Sequence, residues 1–100
     1  MLTGKAYSLF YSWLHHNGYS AISSSEWFES LHTSMQWGIY QDWADSMGYY
    51  ISMDWIYYGN YFSPDITTAD GRMIWEDEFK TRQEARTAAL QKLNEIINRE

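Results

Sequence analysis

The chain has 100 residues, which suits one domain spanning 1–100; 45% are apolar, and 13 acidic against seven basic side chains give a formal net charge of −6. This acidic balance argues against broad binding to a phosphate backbone, which needs clustered lysine and arginine. Cysteine is absent, which excludes disulfides, thiolate nucleophiles and cysteine-based zinc sites.

Two helices are predicted in the first third of the chain. The first runs from Thr3, which can cap it, to Gly18, which can take the left-handed conformation that ends a helix. Its apolar residues repeat at the spacing of one buried stripe, namely Ala6, Leu9, Phe10, Trp13 and Leu14. A capping box from Ser23 to Glu26 then predicts a short helix that reaches Leu31.

A third helix is predicted from Thr33, which forms a second capping box with Gln36, to Gly48. The residues expected on one side of it are Met35, Ile39, Tyr40, Trp43 and Met47. Gly38 lies inside this helix, where glycine costs about 1 kcal/mol relative to alanine. We expect its missing side chain to let another element approach closely.

The periodicity then changes from helical to alternating. The segment Tyr49–Tyr58 is rich in aromatic and β-branched residues with a period of two, which predicts a strand. One set alternates with the other: Tyr49, Ile51, Met53, Trp55 and Tyr57 against Tyr50, Ser52, Asp54, Ile56 and Tyr58. Gly59 and Asn60 suit a two-residue hairpin turn, and Tyr61–Thr67 is the return strand. Pro64 within it predicts an edge strand or a bulged strand, because proline cannot donate to a ladder.

A third strand and a last helix complete the chain. Asp70 and Gly71 form a second hairpin signal, and Arg72–Lys80 is the third strand. Thr81 and Glu84 bound a capping box that opens a strongly patterned helix. Since helices and strands occur in runs, the predicted fold class is α+β: two to three N-terminal helices, a three-stranded antiparallel meander, and a C-terminal helix packed on the sheet.

The residues that most often carry chemistry give no catalytic or metal signature. His15 and His16 are adjacent, so their side chains diverge by about 100° on a helix, and His32 is alone. Ser23–Ser25 suit helix capping, with no nucleophile-elbow motif around them. We therefore expect a non-enzymatic protein without a cofactor or a bound metal.

The surplus of aromatic residues is the better functional signal. Tyr50, Tyr58 and Tyr61 fall on or near the sheet face opposite Trp55, together with Asp54. If helices cover the Trp55 face, these tyrosines lie exposed and mark an interface; alternatively they pack against the N-terminal helices.

Two aspartates on the third helix extend the acidic surface. Asp42 and Asp45 lie three residues apart and share a face, where they can serve acid–base chemistry, a divalent cation or only solvation. The residues predicted to bind a protein partner are Tyr50, Asp54, Tyr58, Tyr61, Asp42 and Asp45.

A basic group near the last helix supports an alternative function. Lys80, Arg82 and Arg86 follow three strands, and this part resembles the C-terminal part of a double-stranded RNA-binding domain. The resemblance implies contacts with a nucleic-acid backbone, although Glu84 interrupts the basic run. A solvent-exposed charged face, with Arg82 and Arg86 on the outer side of the helix, is the other interpretation.

Three segments carry a second resemblance. Residues 1–6, 34–48 and 79–86 are similar to a group of small proteins from phages and prophages of Bacteroidetes. This resemblance implies a mobile-element context and transfers no functional residues. An acidic inhibitor of a host nuclease or defence factor would fit that context, with a host or phage protein as partner.

The expected location is the cytoplasm. The absence of cysteine favours a reducing compartment. The N-terminal residues lack the basic-then-apolar arrangement of a signal peptide, and no apolar stretch is long enough to span a bilayer.

Overall fold

The computed structural model describes residues 2–18 and 25–100, and it has the α+β architecture that the sequence predicts. The capping box predicted at Ser23 lies outside the described residues. The elements are α1 (Gly4–His16), α2 (Ser25–Ser30), α3 (Thr33–Ser46), β1 (Tyr49–Ile56), β2 (Tyr61–Thr68), β3 (Met73–Glu76) and α4 (Arg82–Arg99).

The three strands form one antiparallel sheet in the order β1-β2-β3, as the predicted meander requires. Ile51 pairs with Ile66, and Ile66 pairs with Trp75, so these side chains share one face of the sheet. We call this the inner face; its side chains are those of Tyr49, Ile51, Met53, Trp55, Phe62, Pro64, Ile66, Thr68 and Trp75.

The helices pack on the inner face. Helix α3 contacts β1, and α4 lies between β2 and α1. Ile51 and Ile66 belong to the same buried cluster as residues from α1, α3 and α4. The fully buried side chains of largest volume are Trp43, Phe10, Phe28, Leu14, Ile66, Leu93, Ile97 and Pro64. One hydrophobic core therefore joins the helices to one side of the sheet.

Helix caps agree with the sequence at one helix and differ at another. In α4, Thr81 Oγ1 accepts the Glu84 N–H at 3.1 Å, and the Thr81 hydroxyl donates to the Glu84 carboxylate at 2.9 Å. The box predicted between Thr33 and Gln36 is wrong. His32 caps α3 instead, because its Nδ1 accepts the Ser34 N–H at 3.1 Å.

The side chain of Gln36 hydrogen-bonds to the end of α2 instead of capping α3. Its amide donates to the backbone carbonyls of Phe28, Glu29 and Leu31 at 3.2, 3.3 and 3.0 Å. These carbonyls lie at the end of α2, where helical partners are missing. Gln36 therefore ties α2 to α3 rather than capping its own helix.

Pro64 lies in the central strand, so the prediction of an edge or bulged strand at this position is wrong. The Pro64 carbonyl accepts the Asp77 N–H at 3.2 Å on the side of β3, just past the last β3 residue, Glu76. The N and C=O of one strand residue point to the same side of the strand. The missing N–H of proline therefore interrupts the pairing between the last ladder residue of β3, Glu76, and the isolated bridge from Phe62 to Phe79.

The buried side of α3 also differs from the prediction. Met35 is 57% exposed, whereas Trp37 is buried together with Tyr40, Trp43 and Ala44. These four positions recur with helical periodicity, and Met35 falls on the opposite side of the helix. Large aromatic residues take the buried side, and the flexible methionine remains outside.

Gly38 has open space where its side chain would be. A Cβ added there would meet no described atom within 4 Å, so the predicted close approach of another element is wrong. We expect Gly38→Ala to raise the free energy of unfolding by about 1 kcal/mol, because alanine favours helix. Urea unfolding measures this gain.

Gly48→Ala is the matched control. Gly48 has φ +83°, a conformation that strains any side chain, so alanine there should lower stability. A loss of stability in Gly38→Ala would contradict the open environment of Gly38.

Candidate interaction site

No helix in the described part of the chain covers the second face of the sheet. We call it the outer face; its side chains are those of Tyr50, Ser52, Asp54, Ile56, Tyr61, Ser63, Asp65, Thr67, Met73 and Glu76. None of these residues is buried, and none is basic. The outer face is therefore an open and acidic surface.

Three carboxylates lie on neighbouring strands of the outer face. Asp65 on β2 is directly opposite Glu76 on β3, and Asp54 on β1 lies diagonal to Asp65. Partial burial, with additions from the charges of Asp54 and Glu76, raises the pKa of Asp65 above 3.8, while a hydrogen bond from Thr67 opposes the rise. Like charges opposite each other destabilise a sheet. The outer face thus holds its negative charge at a cost in stability.

This cost predicts a pH-dependent effect of Asp65→Asn. A raised pKa means that the folded chain binds more protons than the unfolded chain just above pH 3.8, so stability falls as the pH rises through the folded pKa. We expect Asp65→Asn to add about 0.5 kcal/mol at neutral pH, a small value because solvent screens the charges. The gain should vanish below pH 3.8. A gain that is equal at both pH values would contradict the electrostatic origin.

Tyrosines extend the outer face toward the hairpin between β1 and β2. Tyr58 is 81% exposed in the turn, and Tyr57 is 80% exposed beside it. Tyr61 is half-buried. A Cβ added at Gly59 would overlap the Tyr61 ring, so a glycine at this position leaves the space that the ring fills. Partial burial and the nearby Glu78 raise the pKa of the Tyr61 hydroxyl above 10.0.

The α3 groove joins the outer face to the helix aspartates. Its lining residues are Met35, Gly38, Ile39, Gln41, Asp42, Asp45, Tyr50 and Ile51, around a volume of about 720 Å³. Asp42 and Asp45 are exposed, and burial and then the charge of Asp42 raise the pKa of Asp45. Within residues 2–18 and 25–100, no basic group lies within 4.0 Å of either carboxylate.

The structure therefore gathers five of the six predicted partner-binding residues on one surface. Tyr50 borders both the α3 groove and the outer face, which carries Asp54 and Tyr61. Tyr58 lies apart, at the tip of the hairpin. The aspartate pair on α3 has no third ligand: the described residues contain no group of three His, Cys, Asp or Glu side chains able to hold a metal ion.

The three histidines lie at the ends of helices. His15 and His16 lie exposed at the end of α1, and His16 Nδ1 is 2.7 Å from the Ser12 carbonyl oxygen. His32 caps α3.

Arg82 and Arg86, which the alternative nucleic-acid-binding function would use, do not point to the outer side of α4 as expected. Arg82 lies over the ring of Phe62 at 5.2 Å from its centroid, and Arg86 over Trp37 at 5.8 Å. Both therefore point toward the sheet and α3, not toward the outer side of α4. In the described part of the chain, no carboxylate lies within 4.0 Å of Lys80, Arg82 or Arg86.

These arginines line a second depression, which we call the edge cleft. Its volume is about 410 Å³, and it runs along β1 between α3 and the start of α4. Its lining residues are Trp37, Gln41, Ile51, Ser52, Met53, Asp54, Arg82 and Arg86.

Trp55 is a surface residue that the sequence did not identify. It lies on the inner face as predicted, but it is 48% exposed, because the helices do not reach that end of β1. Its ring contacts Phe62 at 4.7 Å between centroids. A sign was present in the sequence, since Trp55 lies near the hairpin turn at the end of the alternating pattern.

Comparisons with known proteins give no relative: no protein-family model, curated protein or solved structure matches this chain. Among the described residues, no helix is both long and apolar enough to cross a membrane.

Proposed function

We propose that the chain is a non-enzymatic protein-interaction module that binds a basic partner protein through the outer face. The observation that carries this proposal is the open sheet face on which Asp54, Asp65 and Glu76 repel one another with no basic side chain among them. A partner with lysine or arginine side chains would relieve this repulsion on binding. Surfaces that sacrifice stability in this way are typical of functional sites.

Exposed tyrosines supply the second part of the surface. Tyr58 and Tyr50 present large rings with few rotatable bonds, which favours them as binding hot spots. The α3 groove adds Asp42 and Asp45 next to Tyr50. Charge would thus steer the partner, and the tyrosines would hold it.

A nucleic-acid enzyme of the host is the specific partner that we favour. Such an enzyme presents a cationic groove for phosphates, and an acidic surface with interspersed tyrosines can occupy that groove. We therefore propose an inhibitor of a host nuclease or defence factor that acts in the cytoplasm and is encoded by a phage or prophage.

The test is capture of proteins from host lysate with and without added nuclease. The immobilised wild-type chain should retain a stoichiometric protein that survives nuclease treatment. The double variant Asp65→Asn with Glu76→Gln should lose it. The control, Glu26→Gln with Glu29→Gln, removes two exposed acids from α2 and should retain it. Retention by the outer-face variant would contradict the proposal.

The substitution Tyr58→Ala should weaken partner binding and leave the fold stable. Because the ring is 81% exposed, its removal should change the free energy of unfolding by less than about 0.5 kcal/mol. The dissociation constant for the captured partner should rise at least about tenfold if Tyr58 is a hot spot. A large loss of thermal stability would instead show that the ring supports the fold.

Binding of nucleic acid through Lys80, Arg82 and Arg86 is the second candidate. Its support is that these cations have no carboxylate partner within the described ranges, and that α3, three strands and α4 follow the element order of a double-stranded RNA-binding domain. Three phosphate contacts would give a slope of roughly −2 to −3 for log affinity against log salt. Affinity for a short duplex that does not change with salt, or no affinity, would remove this candidate.

A further inference from the structure

The free side of β1 is a surface that the proposed function does not use. Strand β1 is at one end of the sheet order, so one side pairs with β2 and the other side with no described strand. Gln41 Nε2 reaches from α3 and donates to the Ile51 carbonyl at 3.2 Å. The Ile51 carbonyl therefore points away from β2.

A second hydrogen bond confirms this orientation. Pro64 accepts from Asp77 on the β3 side, so its partner Met53 directs its own backbone groups to the free side of β1. Alternate residues of a strand point the same way, and Trp55 follows Met53 in this series. The N–H of Ile51 and the N–H and C=O groups of Met53 and Trp55 are thus left without a strand partner.

Strand β1 lacks the sequence features that usually protect an edge, and the cover from α3 on this side is the Gln41 bond to Ile51. Edge strands are normally short, bulged, or marked by lysine or proline. Strand β1 is eight residues long, pairs with β2 without a bulge, and contains neither lysine nor proline. Asp54 is its one charged residue, and its side chain lies on the outer face.

A second copy of β1 matches this edge in one antiparallel register. With Met53 opposite Met53 of the second copy, Ile51 faces Trp55 and Ser52 faces Asp54, so apolar residues meet and no like charges are opposed. A shift of two residues toward the hairpin would place Asp54 opposite Asp54. A shift the other way would place Trp55 opposite Tyr49, so the indole would no longer lie beside Ile51 and the edge cleft. In the register about Met53, the second lone pair of the Ile51 carbonyl can accept the Trp55 N–H beside the bond from Gln41.

The edge cleft fits the exposed tryptophan in this register. The cleft lies beside Ile51 on the helix side of β1, and Trp37 and Arg86 form part of its wall. Trp55 of the second copy lies opposite Ile51 and on the same face, so its indole enters the cleft. There it meets an aromatic ring and a guanidinium group, both favourable partners for an indole.

We propose that the chain forms a twofold symmetric dimer in which the β1 strands of two copies pair antiparallel about Met53, with Trp55 of each copy in the edge cleft of the other. The interface is self-complementary, as twofold symmetry requires. The two sheets become one sheet of six strands, and the two outer faces lie side by side.

Sedimentation equilibrium tests the dimer with the protein itself. The wild type should show twice the chain mass of 11.9 kDa. Met53→Pro should be monomeric and folded, because the N–H that it removes points to the free edge, where proline is tolerated in strands. Met53→Ala keeps that N–H and should dimerise more strongly than Met53→Pro; Trp55→Ser should weaken the dimer at least tenfold.

A monomeric wild type at all concentrations, or an unweakened Met53→Pro dimer, would overturn the proposal. Binding of a glutamate-rich peptide to a monomer through Arg82 and Arg86 would overturn it too, because the cleft would then serve an acidic segment.

Disulfide trapping gives a test that does not depend on proline. The chain has no cysteine, so Met53→Cys introduces one thiol, and opposed residues of a hydrogen-bonded antiparallel pair have Cα atoms about 5.5 Å apart, within the range for a disulfide. Mild oxidation should convert Met53→Cys to a covalent dimer. Met73→Cys, on the exposed β3 strand, should remain monomeric. Equal cross-linking of both variants would contradict the proposed register.

Discussion

Phe10→Ala should lower the free energy of unfolding by about 3–5 kcal/mol, one of the two largest effects expected in this chain. Phe10 is fully buried, and its ring lies 4.7, 4.9 and 5.2 Å from the rings of Tyr40, Phe28 and Trp43. One ring therefore joins α1, α2 and α3. A domain of this size is stable by only about 5–15 kcal/mol, so much of the variant would unfold.

Urea unfolding followed by circular dichroism measures this loss. Ser8→Ala is the control, because Ser8 is exposed on the same helix and its replacement should change stability by less than about 0.5 kcal/mol. A loss below 1 kcal/mol in Phe10→Ala would mean that the aromatic cluster does not hold the helices together.

Asp65→Lys is expected to change stability and binding in opposite directions. A lysine at this position faces Glu76 and lies near Asp54, so repulsion becomes attraction and the free energy of unfolding should rise by about 0.5–1 kcal/mol. The same change reverses charge at the centre of the outer face. The affinity for a basic partner should then fall between about tenfold and a hundredfold.

Glu26→Lys provides the charge-matched control. Glu26 is exposed on α2, away from the sheet, so both stability and partner binding should stay near the wild-type values. Equal loss of binding in the two variants would show that net charge, and not the outer face, attracts the partner.

Local patterns in the sequence predicted most of the elements because local chemistry decides them. Thr81 and Glu84 cap α4 as expected, since both partners of the capping box lie within one turn. The alternation from Tyr49 onward predicted β1 and its two faces, while which face the helices cover was left open between two alternatives. The hydrophobic period and the helix caps depend on residues that are close together in the sequence, so they can be predicted from one sequence.

Features that depend on distant elements could not be predicted. Pro64 lies in the central strand where the regular ladder with β3 ends at Glu76 and pairing resumes only at Phe62 and Phe79, which depends on a distant segment. Met35 is exposed because Trp37 faces the core and fixes the rotation of α3. Arg82 turns inward because the ring of Phe62 lies beneath it.

The candidate site was predicted in its residue types and only partly in its geometry. Tyr50 was expected on the open face, but its place beside Asp42 and Asp45 depends on how α3 packs against β1. The repulsion between Asp65 and Glu76 was not foreseen, because it depends on the register between β2 and β3. Strand register and helix packing therefore decide which acidic residues form one surface.

The most direct test of the outer face as the binding site is a nuclear magnetic resonance footprint of the captured partner on the isotope-labelled chain. We expect the largest amide shift changes on β1 and β2, around Tyr50, Asp54 and Asp65, with the exposed side of α4 unchanged. Changes confined to Arg82, Arg86 and the rest of α4, with β1 and β2 unaffected, would contradict it.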